Sequence, residues 1–474
     1  MNSIEDQSFR NQNTVAVVGG GVAGLAAACS LADAGFRVTV LERRGYLGGR
    51  ASSYLHPGTG EVIDNCQHVT FGCCTNLIDF YRRIGVAGKI FWDSRMTMIE
   101  PGGRRSVLKP SWLPAPMHGL PAILKSHCFS LKDKLSLCFA LTTILLGRKP
   151  DPNQSLFDWL ERHLQTRGAV ERFWRLVIAS ALNADLDKIR LPIAVKVVRQ
   201  IFLNSPTAGK MGMSTIPLSD LYQGAQKYLQ ERRGSIQFNH NVESAAWNQE
   251  NGSWTIQTQA GEFQAEQMIL ALPFEATSKL LPSLPANDAA AKLASQIQAL
   301  EHWPICSVHL WFDREITELD HAVLLDCDIH WMYHKSRWQP QRDSNASYIE
   351  LVVSASREFA SLNREQALAR AMSQLAQFFP AVRSTKLVKS ALIKEMRATS
   401  NVPPGVDFTP PDAVSPWPNC FLAGDWTATD WASTMESAAR SGSLAAEALC
   451  RSLGDPRRIL VPDLPHTGLM KFFR

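Results

Sequence analysis

Three glycines do most to restrict what this chain can become. Gly19, Gly21 and Gly24 stand in G-x-G-x-x-G spacing between the apolar run Thr14-Val-Ala-Val-Val18 and an alanine-rich stretch ending at Gly35. A continuous apolar run of this kind suits a strand covered on both faces, as in a parallel sheet. Gly19 permits the tight turn out of that strand, Gly21 lets backbone approach a pyrophosphate, and Gly24 lets the next helix pack closely. The helix N-terminus, at Val22 and Ala23, then offers free N–H groups and a positive dipole end to phosphate. A second strand, Phe36-Arg-Val-Thr-Val-Leu-Glu42, ends on a carboxylate about 20 residues on, placed to accept hydrogen bonds from ribose hydroxyls. A bare glycine motif is a weak signal; strand, glycines, helix, strand and acid in that order are a strong one.

The following Arg43-Arg-Gly-Tyr-Leu-Gly-Gly-Arg50 adds a second glycine pair and an arginine. Gly49 suits a second pass of backbone against the same pyrophosphate, and Arg50 brings a fork of donors to its charge. That addition points to FAD more than to NAD.

The 474 residues, 45% hydrophobic and 20% charged, suffice for two or more domains with sizeable cores. A formal charge of +5 permits an anionic membrane surface and gives no argument for nucleic acid. The ten cysteines lack C-x-x-C pairs, so neither a metal site nor a disulfide framework is expected, and reduced cytoplasmic thiols are the plain reading. No segment reaches the ~20 apolar residues that span a bilayer. Residues 108–149 change character, however: Pro110, Trp112, Pro114, Pro116 and Met117 precede two apolar helical runs, with Lys109, Lys125, Lys132, Lys134, Arg148 and Lys149 interspersed. Apolar runs bordered by tryptophan and lysine fit an interfacial membrane helix, peripheral to the inner face of the cytoplasmic membrane, or else a substrate-domain lid with a solvated basic face.

Along the chain, Ala51–Tyr54 and Glu61–Ile63 flank a Pro57-Gly58 turn as a hairpin. A helix is expected over Asn76–Ile84, a capped helical pair from Ser155, a helix over Leu191–Phe202, and a glycine- and methionine-bearing loop over Gly209–Tyr222. Met211 and Met213 there could line an apolar tunnel or simply fill core. Ile305–Phe312, Ile329–Tyr333 and Ser347–Val353 alternate or run apolar, as strands of an antiparallel sheet do. Arg364–Phe379 is an amphipathic helix stopped by Pro380. The expected parts are FAD-binding segments at 14–75, 231–285 and 401–455, a helical, membrane-facing substrate part at 76–230, a substrate sheet and helix at 286–400, and tails at 1–13 and 456–474.

A second signal lies near the C-terminus, where Phe421-Leu-Ala-Gly-Asp-Trp426 ends a strand and a helix starts near Ser433. Asp425 can accept from a ribityl hydroxyl or hold a water at the pyrophosphate, and the helix N-terminus favours negative charge on the flavin edge. With the first motif, this resembles the amine oxidase and phytoene desaturase group of FAD-dependent enzymes. Within that group the chain resembles the hydroxysqualene dehydroxylase family of hopanoid synthesis. Asp64-Asn-Cys-Gln-His68, Ala181-Leu-Asn183, Pro217-Leu-Ser-Asp-Leu-Tyr222 and Pro416-Trp-Pro-Asn419 carry that likeness. Cys66 and Ser437 stand where that family usually has glycine.

The resemblance implies an α/β plus α+β architecture: a Rossmann-like FAD-binding domain with a discontinuous substrate domain of antiparallel sheet and helices. It implies a cofactor site of Gly19, Gly21, Val22, Ala23 and Gly24, then Glu42, Arg43, Gly49 and Arg50. Gln67 and His68 join beside the flavin, Val242 near the adenine, and Gly424, Asp425, Thr434 and Met435 at the C-terminal helix. The implied reaction is reductive loss of the allylic hydroxyl of hydroxysqualene to give squalene, with an unidentified electron donor and a possible association with prenyl synthases. His68 is the expected proton donor, because imidazolium forms near neutral pH, and Asp64 is expected to orient His68 or Gln67. Asp220 is expected to cap a helix, and Glu436 to bind neighbouring backbone or charge. A carotenoid-type desaturase or isomerase on the same fold stays open. So does an amine oxidase, whose aromatic cage Trp311, Trp331 or Trp431 would supply, and so does a non-catalytic flavoprotein.

Overall fold

Five parallel strands carry the glycine motif in a computed structural model that describes residues 13–147, 149–339 and 347–472. Their order is Ser235–Phe238, Arg37–Glu42, Thr14–Val18, Gln267–Leu270 and Cys420–Leu422, so three distant stretches of chain build one sheet. The helix Val22–Asp33 leaves the first strand, and Met435–Ser452 lies on it with no room to spare. A Cβ at Gly442 would sit 2.3 Å from the Ala23 carbonyl oxygen. Small residues along both helices let the backbones approach closely beside the glycine motif. An antiparallel sheet of Val242–Asn248, Ser253–Thr258 and Gly261–Ala265 follows the Ser235–Phe238 strand.

The second large sheet has seven strands, in the order Leu387–Asn401, Glu301–Phe312, Ser347–Ser354, Trp331–His334, His321–Leu324, Met96–Ile99 and Arg105–Leu108. All neighbours run antiparallel except His321–Leu324 beside Met96–Ile99. Period-two alternation sorts its residues between two faces. Cys306, Val308, Leu310, Met332, Ile349, Leu351 and Val353 pack into the core that includes Phe378 of helix Arg364–Phe378. Trp331, Tyr333 and Val352 point the other way, into the core shared with the cofactor sheet.

Three details depart from the sequence expectations. Residues 96–108, inside the stretch expected as helical, supply two strands of the seven-stranded sheet. The expected loop Gly209–Tyr222 contains the strand Met211–Ser214, paired between Val69–Phe71 and Ile90–Asp93, with Met211 and Met213 buried in it. Asp220 does not cap the helix Leu218–Gln230; Pro217 holds that position, and Asp220 Oδ1 accepts from Gln223 Nε2 at 3.0 Å. Apart from residue 13, the expected N-terminal tail lies outside the described residues, as does Arg148.

Candidate functional site

The glycines do steric work that no other residue could do. Gly19 has φ +114°, and a Cβ there would meet the Ala271 carbonyl oxygen at 2.5 Å. A Cβ on Gly24 would meet the Gly19 carbonyl oxygen at 1.9 Å. Gly21 faces Gly49, whose Cα lies 3.9 Å from where a Cβ would be, and Gly21 bridges to Gly48. The two glycine turns thus form one floor. Above it the helix Val22–Asp33 starts without a side-chain cap, so the N–H groups of its first turn, at Val22 and Ala23, remain for an anion.

Glu42 is buried; its Oε2 accepts from Gly20 N–H at 2.7 Å and its Oε1 from Arg44 N–H at 2.8 Å. A carboxylate has about four acceptor sites, so two remain for ribose hydroxyls. Arg43, expected in the cofactor set, is exposed, whereas Arg44 turns back to donate from Nη1 to the Gly49 carbonyl at 3.0 Å. The side chains alternate as the chain leaves the strand, and the second arginine is the one returned to the glycine floor. Val242 begins its strand half-buried against the core that includes Val18 and Leu41.

Arg50 pairs with Asp425 and donates from Nη1 to the Ala398 carbonyl at 3.1 Å. Ser433 donates to the second oxygen of Asp425, so that carboxylate is held from both sides. Gly424 N–H donates to Ser441 Oγ at 2.8 Å, and a Cβ on Gly424 would strike the Trp426 ring at 2.4 Å. Thr434 is the N-cap of Met435–Ser452, and Met435 Sδ lies 3.7 Å from the Tyr222 hydroxyl. Ser437, where a glycine was expected, turns inward: its Oγ donates to the Asp425 carbonyl at 3.2 Å and lies 2.7 Å from Thr429 Oγ1. Glu436 accepts from Leu77 N–H at 2.9 Å and Asn76 N–H at 3.2 Å, capping the helix Thr75–Arg83.

The 64–68 run lies against this floor. Asn65 N–H donates to the Ser52 carbonyl at 2.9 Å, its side chain donates to the Arg50 carbonyl, and its buried Oδ1 has no partner among the described residues. An orphaned buried acceptor beside two glycine turns and an uncapped helix fits FAD, whose ribityl and ribose hydroxyls and ring N–H groups are donors. Asp64 Oδ1 accepts from Ser53 Oγ at 2.5 Å and Leu218 N–H at 3.1 Å; its Oδ2 accepts from Lys335 Nζ at 2.6 Å. Lys335 also reaches Gln67 Oε1 at 2.7 Å and lies 3.5 Å from Glu350 Oε2. Burial works to raise the Asp64 carboxyl, but the Lys335 charge and these hydrogen bonds outweigh it and hold it below the ordinary range.

One expectation for this run is narrowed and another needs correction. Of its two expected partners, Asp64 does not touch His68 and reaches Gln67 only through Lys335, so the aspartate acts on the run through that ammonium. His68 is a poor acid here. Burial holds its pKa below the ordinary imidazole value, and its Nδ1 lies 2.7 Å from the Cys66 carbonyl, an acceptor that assigns the ring proton to Nδ1. Nε2 is then left without a proton to give. The three candidate cage tryptophans sit in separate settings. Trp311 stacks on Tyr348 at 4.4 Å, Trp331 on Tyr333 at 5.7 Å, and Trp431 lies under Lys196 and Arg440. No metal-ligating cluster occurs among the described residues.

Sequence reasoning missed Arg44, Asn65, Ser433, Lys335 and Glu350. A signal existed for the last. Glu350 is a lone carboxylate inside Ser347-Tyr-Ile-Glu-Leu-Val-Val353, a strand apolar on both faces, where an unpaired charge would not be tolerated.

A family model described as flavin containing amine oxidoreductase matches residues 22–450. Among characterised sequences, the chain is 27% identical over 461 residues to a 15-cis-phytoene desaturase of Synechococcus elongatus, covering 92% of this chain and 95% of that one. It is 27% identical over 478 residues to a probable zeta-carotene desaturase of the same organism, covering 92% and 98%. Among solved structures, putrescine oxidase superposes with a TM-score of 0.69 at 16% identity over 93% of this chain and 99% of that one. Cyclohexylamine oxidase from Brevibacterium oxydans gives 0.66 at 16% identity over 94% and 100%. The mixed α/β fold agrees with that set, and the cofactor is FAD. The chain belongs to the flavin-containing amine oxidoreductase family and is an FAD-dependent oxidoreductase.

Proposed function

We propose that this enzyme carries out two-electron chemistry on a long polyisoprenoid, and that carotenoid-type desaturation is its first reading. The observation that carries the proposal is the likeness to phytoene and zeta-carotene desaturases over 92% of the chain. FAD, when bound, supplies hydride exchange. The chain's own contribution is a dry wall, in which the stacked Trp331 and Tyr333 and the neighbouring Val352 turn from the substrate sheet toward the cofactor side. Such a wall binds hydrocarbon by area and excludes water from a reacting carbon centre.

Reductive dehydroxylation of hydroxysqualene is the second reading, favoured by a specific piece of geometry. Two stretches on which the hydroxysqualene dehydroxylase resemblance rests, 64–68 and 217–222, meet in space: Leu218 N–H binds Asp64, while Ser53 N–H donates to Ser219 Oγ at 2.8 Å. A third, Ala181–Asn183, ties into the sheet, with Asn183 Nδ2 donating to the Trp303 carbonyl at 3.2 Å and Oδ1 accepting from Ala355 N–H at 2.7 Å.

A membrane surface is the proposed source of substrate. No helix among the described residues is long and apolar enough to cross a bilayer. The helix Leu131–Leu146 nevertheless exposes Leu131, Leu135 and Phe139 in one i, i+4 stripe, at 72%, 63% and 53%, near the exposed Lys125 and Lys132. An apolar stripe with basic neighbours is what an anionic lipid interface selects.

One experiment separates the readings. Purified holoenzyme in lipid vesicles is given phytoene with a quinone acceptor, and separately, after anaerobic photoreduction, hydroxysqualene. New conjugated double bonds support desaturation; squalene with reoxidised flavin supports dehydroxylation. Turnover of an amine with neither product formed would overturn the polyisoprenoid proposal.

A further inference from the structure

Behind the 64–68 run, two carboxylates share one ammonium. Lys335 comes from the turn after Trp331–His334, and Glu350 from the middle of Ser347–Ser354, in register with both Tyr333 and His309. Ile349 and Leu351 face the helix-covered core, so alternation directs Glu350 to the cofactor side of the sheet. Asp64, Lys335 and Glu350 are exposed by 4%, 1% and 0%.

Charge counting is decisive in so dry a place. With both carboxylates ionised the cluster would carry one uncompensated negative charge, which burial penalises severely. One carboxyl therefore keeps a proton near neutrality, as in other pairs of acids that share a site. Asp64 has three close donors in Ser53, Leu218 and Lys335. Glu350 is served less well: Ser307 Oγ donates to Oε1 at 3.2 Å, the Gln67 backbone N–H also favours its ionised form, and Oε2 lies 3.5 Å from the ammonium, beyond a good hydrogen bond. Burial pushes the Glu350 carboxyl up to about 7; Lys335 pulls it down and Asp64 pushes it up.

Among the described residues, the titratable groups around Glu350 add no further charge. His309, on Glu301–Phe312, is held neutral by burial, which lowers it to about 3, and its Nδ1 lies 2.8 Å from the Tyr348 hydroxyl. Burial also raises Tyr333 on the neighbouring strand, Tyr348 on its own strand and Cys66 on the 64–68 run, so all three stay protonated.

We propose that Glu350 is the exchangeable proton of the site, a carboxyl that gives up or takes up one proton as substrate is turned over. The proposal rests on the polyisoprenoid reading but not on its direction. Loss of an allylic hydroxyl breaks a C–O bond and consumes one proton as water leaves, while a hydride makes the new C–H bond. Formation of a double bond removes a hydride from one carbon and a proton from its neighbour, whose C–H electron pair becomes the π bond. Glu350 Oε2 supplies the proton in the first case and receives it in the second. Lys335, shared with Asp64 and Gln67, is the positioning residue that passes the change in charge to the 64–68 run.

The test has an arm that needs no substrate. Infrared difference spectra of the holoenzyme, titrated across neutrality, should show a protonated-carboxyl C=O band that disappears through about pH 7. The band should be absent in Glu350→Gln, whereas in Asp64→Asn, which leaves Lys335 to neutralise Glu350 alone, it should disappear at a lower pH than in wild type. Ser307→Ala, which removes a bond favouring the ionised form, should keep the band and raise its midpoint; this variant serves if Glu350→Gln fails to fold. In single turnover with the substrate found active, the rate should change about tenfold per pH unit on one side of that midpoint, and this dependence should vanish in Glu350→Gln. A band that survives in Glu350→Gln, a midpoint unmoved in Ser307→Ala, or an unchanged pH profile would overturn the assignment. If the band behaves as expected but neither polyisoprenoid reacts, the function proposal falls while the carboxyl remains identified.

Discussion

Replacing Lys335 by methionine is the sharpest perturbation of this site. Methionine keeps most of the buried length and removes the charge. Asp64 would retain Ser53 and Leu218, and Glu350 would retain Ser307, but two carboxylates would then share a space with no cation. Breaking a buried ion pair from one side costs about 3–5 kcal/mol, because the surviving charge is left unsolvated. With two acceptors orphaned, the upper half of that range is expected. The matching double variant, Asp64→Asn with Lys335→Met, removes both charges, so its loss should fall short of the sum of the single losses by about 2–3 kcal/mol. Denaturant unfolding of the four proteins, followed by fluorescence near neutral pH, gives the cycle directly. Acid should soften the single variant, since protons can replace the missing ammonium; its deficit should shrink by about pH 5. A Lys335→Met protein within about 1 kcal/mol of wild type, or a strictly additive cycle, would refute the reading of these contacts as one charge cluster.

Glu350 also sets a pH dependence of stability. Its folded value of about 7 lies above the ordinary 4.5, so between those values the unfolded chain has lost a proton that the folded chain keeps. Stability should therefore fall as pH rises through that window, by about 3–4 kcal/mol at roughly 1.4 kcal/mol per unit, and Glu350→Gln should flatten the slope in pH-dependent melting. Gly24→Ala puts a methyl 1.9 Å from the Gly19 oxygen, a clash that no rotamer relieves. The variant should lose on the order of 3 kcal/mol and purify with little flavin absorbance per chain; a full flavin complement would contradict the close-packing argument. Leu135→Asp with Phe139→Asp should weaken binding to anionic vesicles roughly thirty-fold, about 2 kcal/mol for two half-exposed side chains, as read by co-sedimentation. Unaltered sedimentation would move the lipid contact away from this helix.

The sequence made the cofactor floor legible because its constraints are local. Gly19, Gly24 and Glu42 act within one strand-turn-helix-strand unit, and their spacing alone predicts their contacts. Substrate-sheet strands such as Glu301–Phe312 were visible through their alternation, whereas the edge strand Leu387–Asn401, fifteen residues of mixed polarity, carries no clean period. The acid–base assignment failed for a different reason. His68 is protonatable in water, but burial and the Cys66 carbonyl decide its state, and neither can be read from a five-residue motif. Lys335 lies 271 positions from the aspartate it neutralises. Only tertiary structure joins them, and only the joining turns an ordinary strand glutamate into a carboxyl held near neutrality.

That joining is a poor bargain for stability alone, and this distinguishes a structural cluster from a working one. Buried ion pairs replaced by neutral side chains of similar volume are often neutral or more stable, by about 1–4 kcal/mol. The triple variant Asp64→Asn, Lys335→Met, Glu350→Gln leaves Ser53, Leu218 and Ser307 with polar partners while removing every charge from the cluster. It should melt no lower than wild type, bind FAD at the glycine floor, and lose the pH-dependent part of single turnover. A cluster retained for architecture would behave oppositely: the triple variant would unfold early and turn over normally when folded. Asp64 enters from the cofactor domain's hairpin, and Lys335 and Glu350 enter from the substrate sheet. The proton-holding state therefore exists only when the two are assembled around the same dry wall, and that dependence ties the chemistry to the fold.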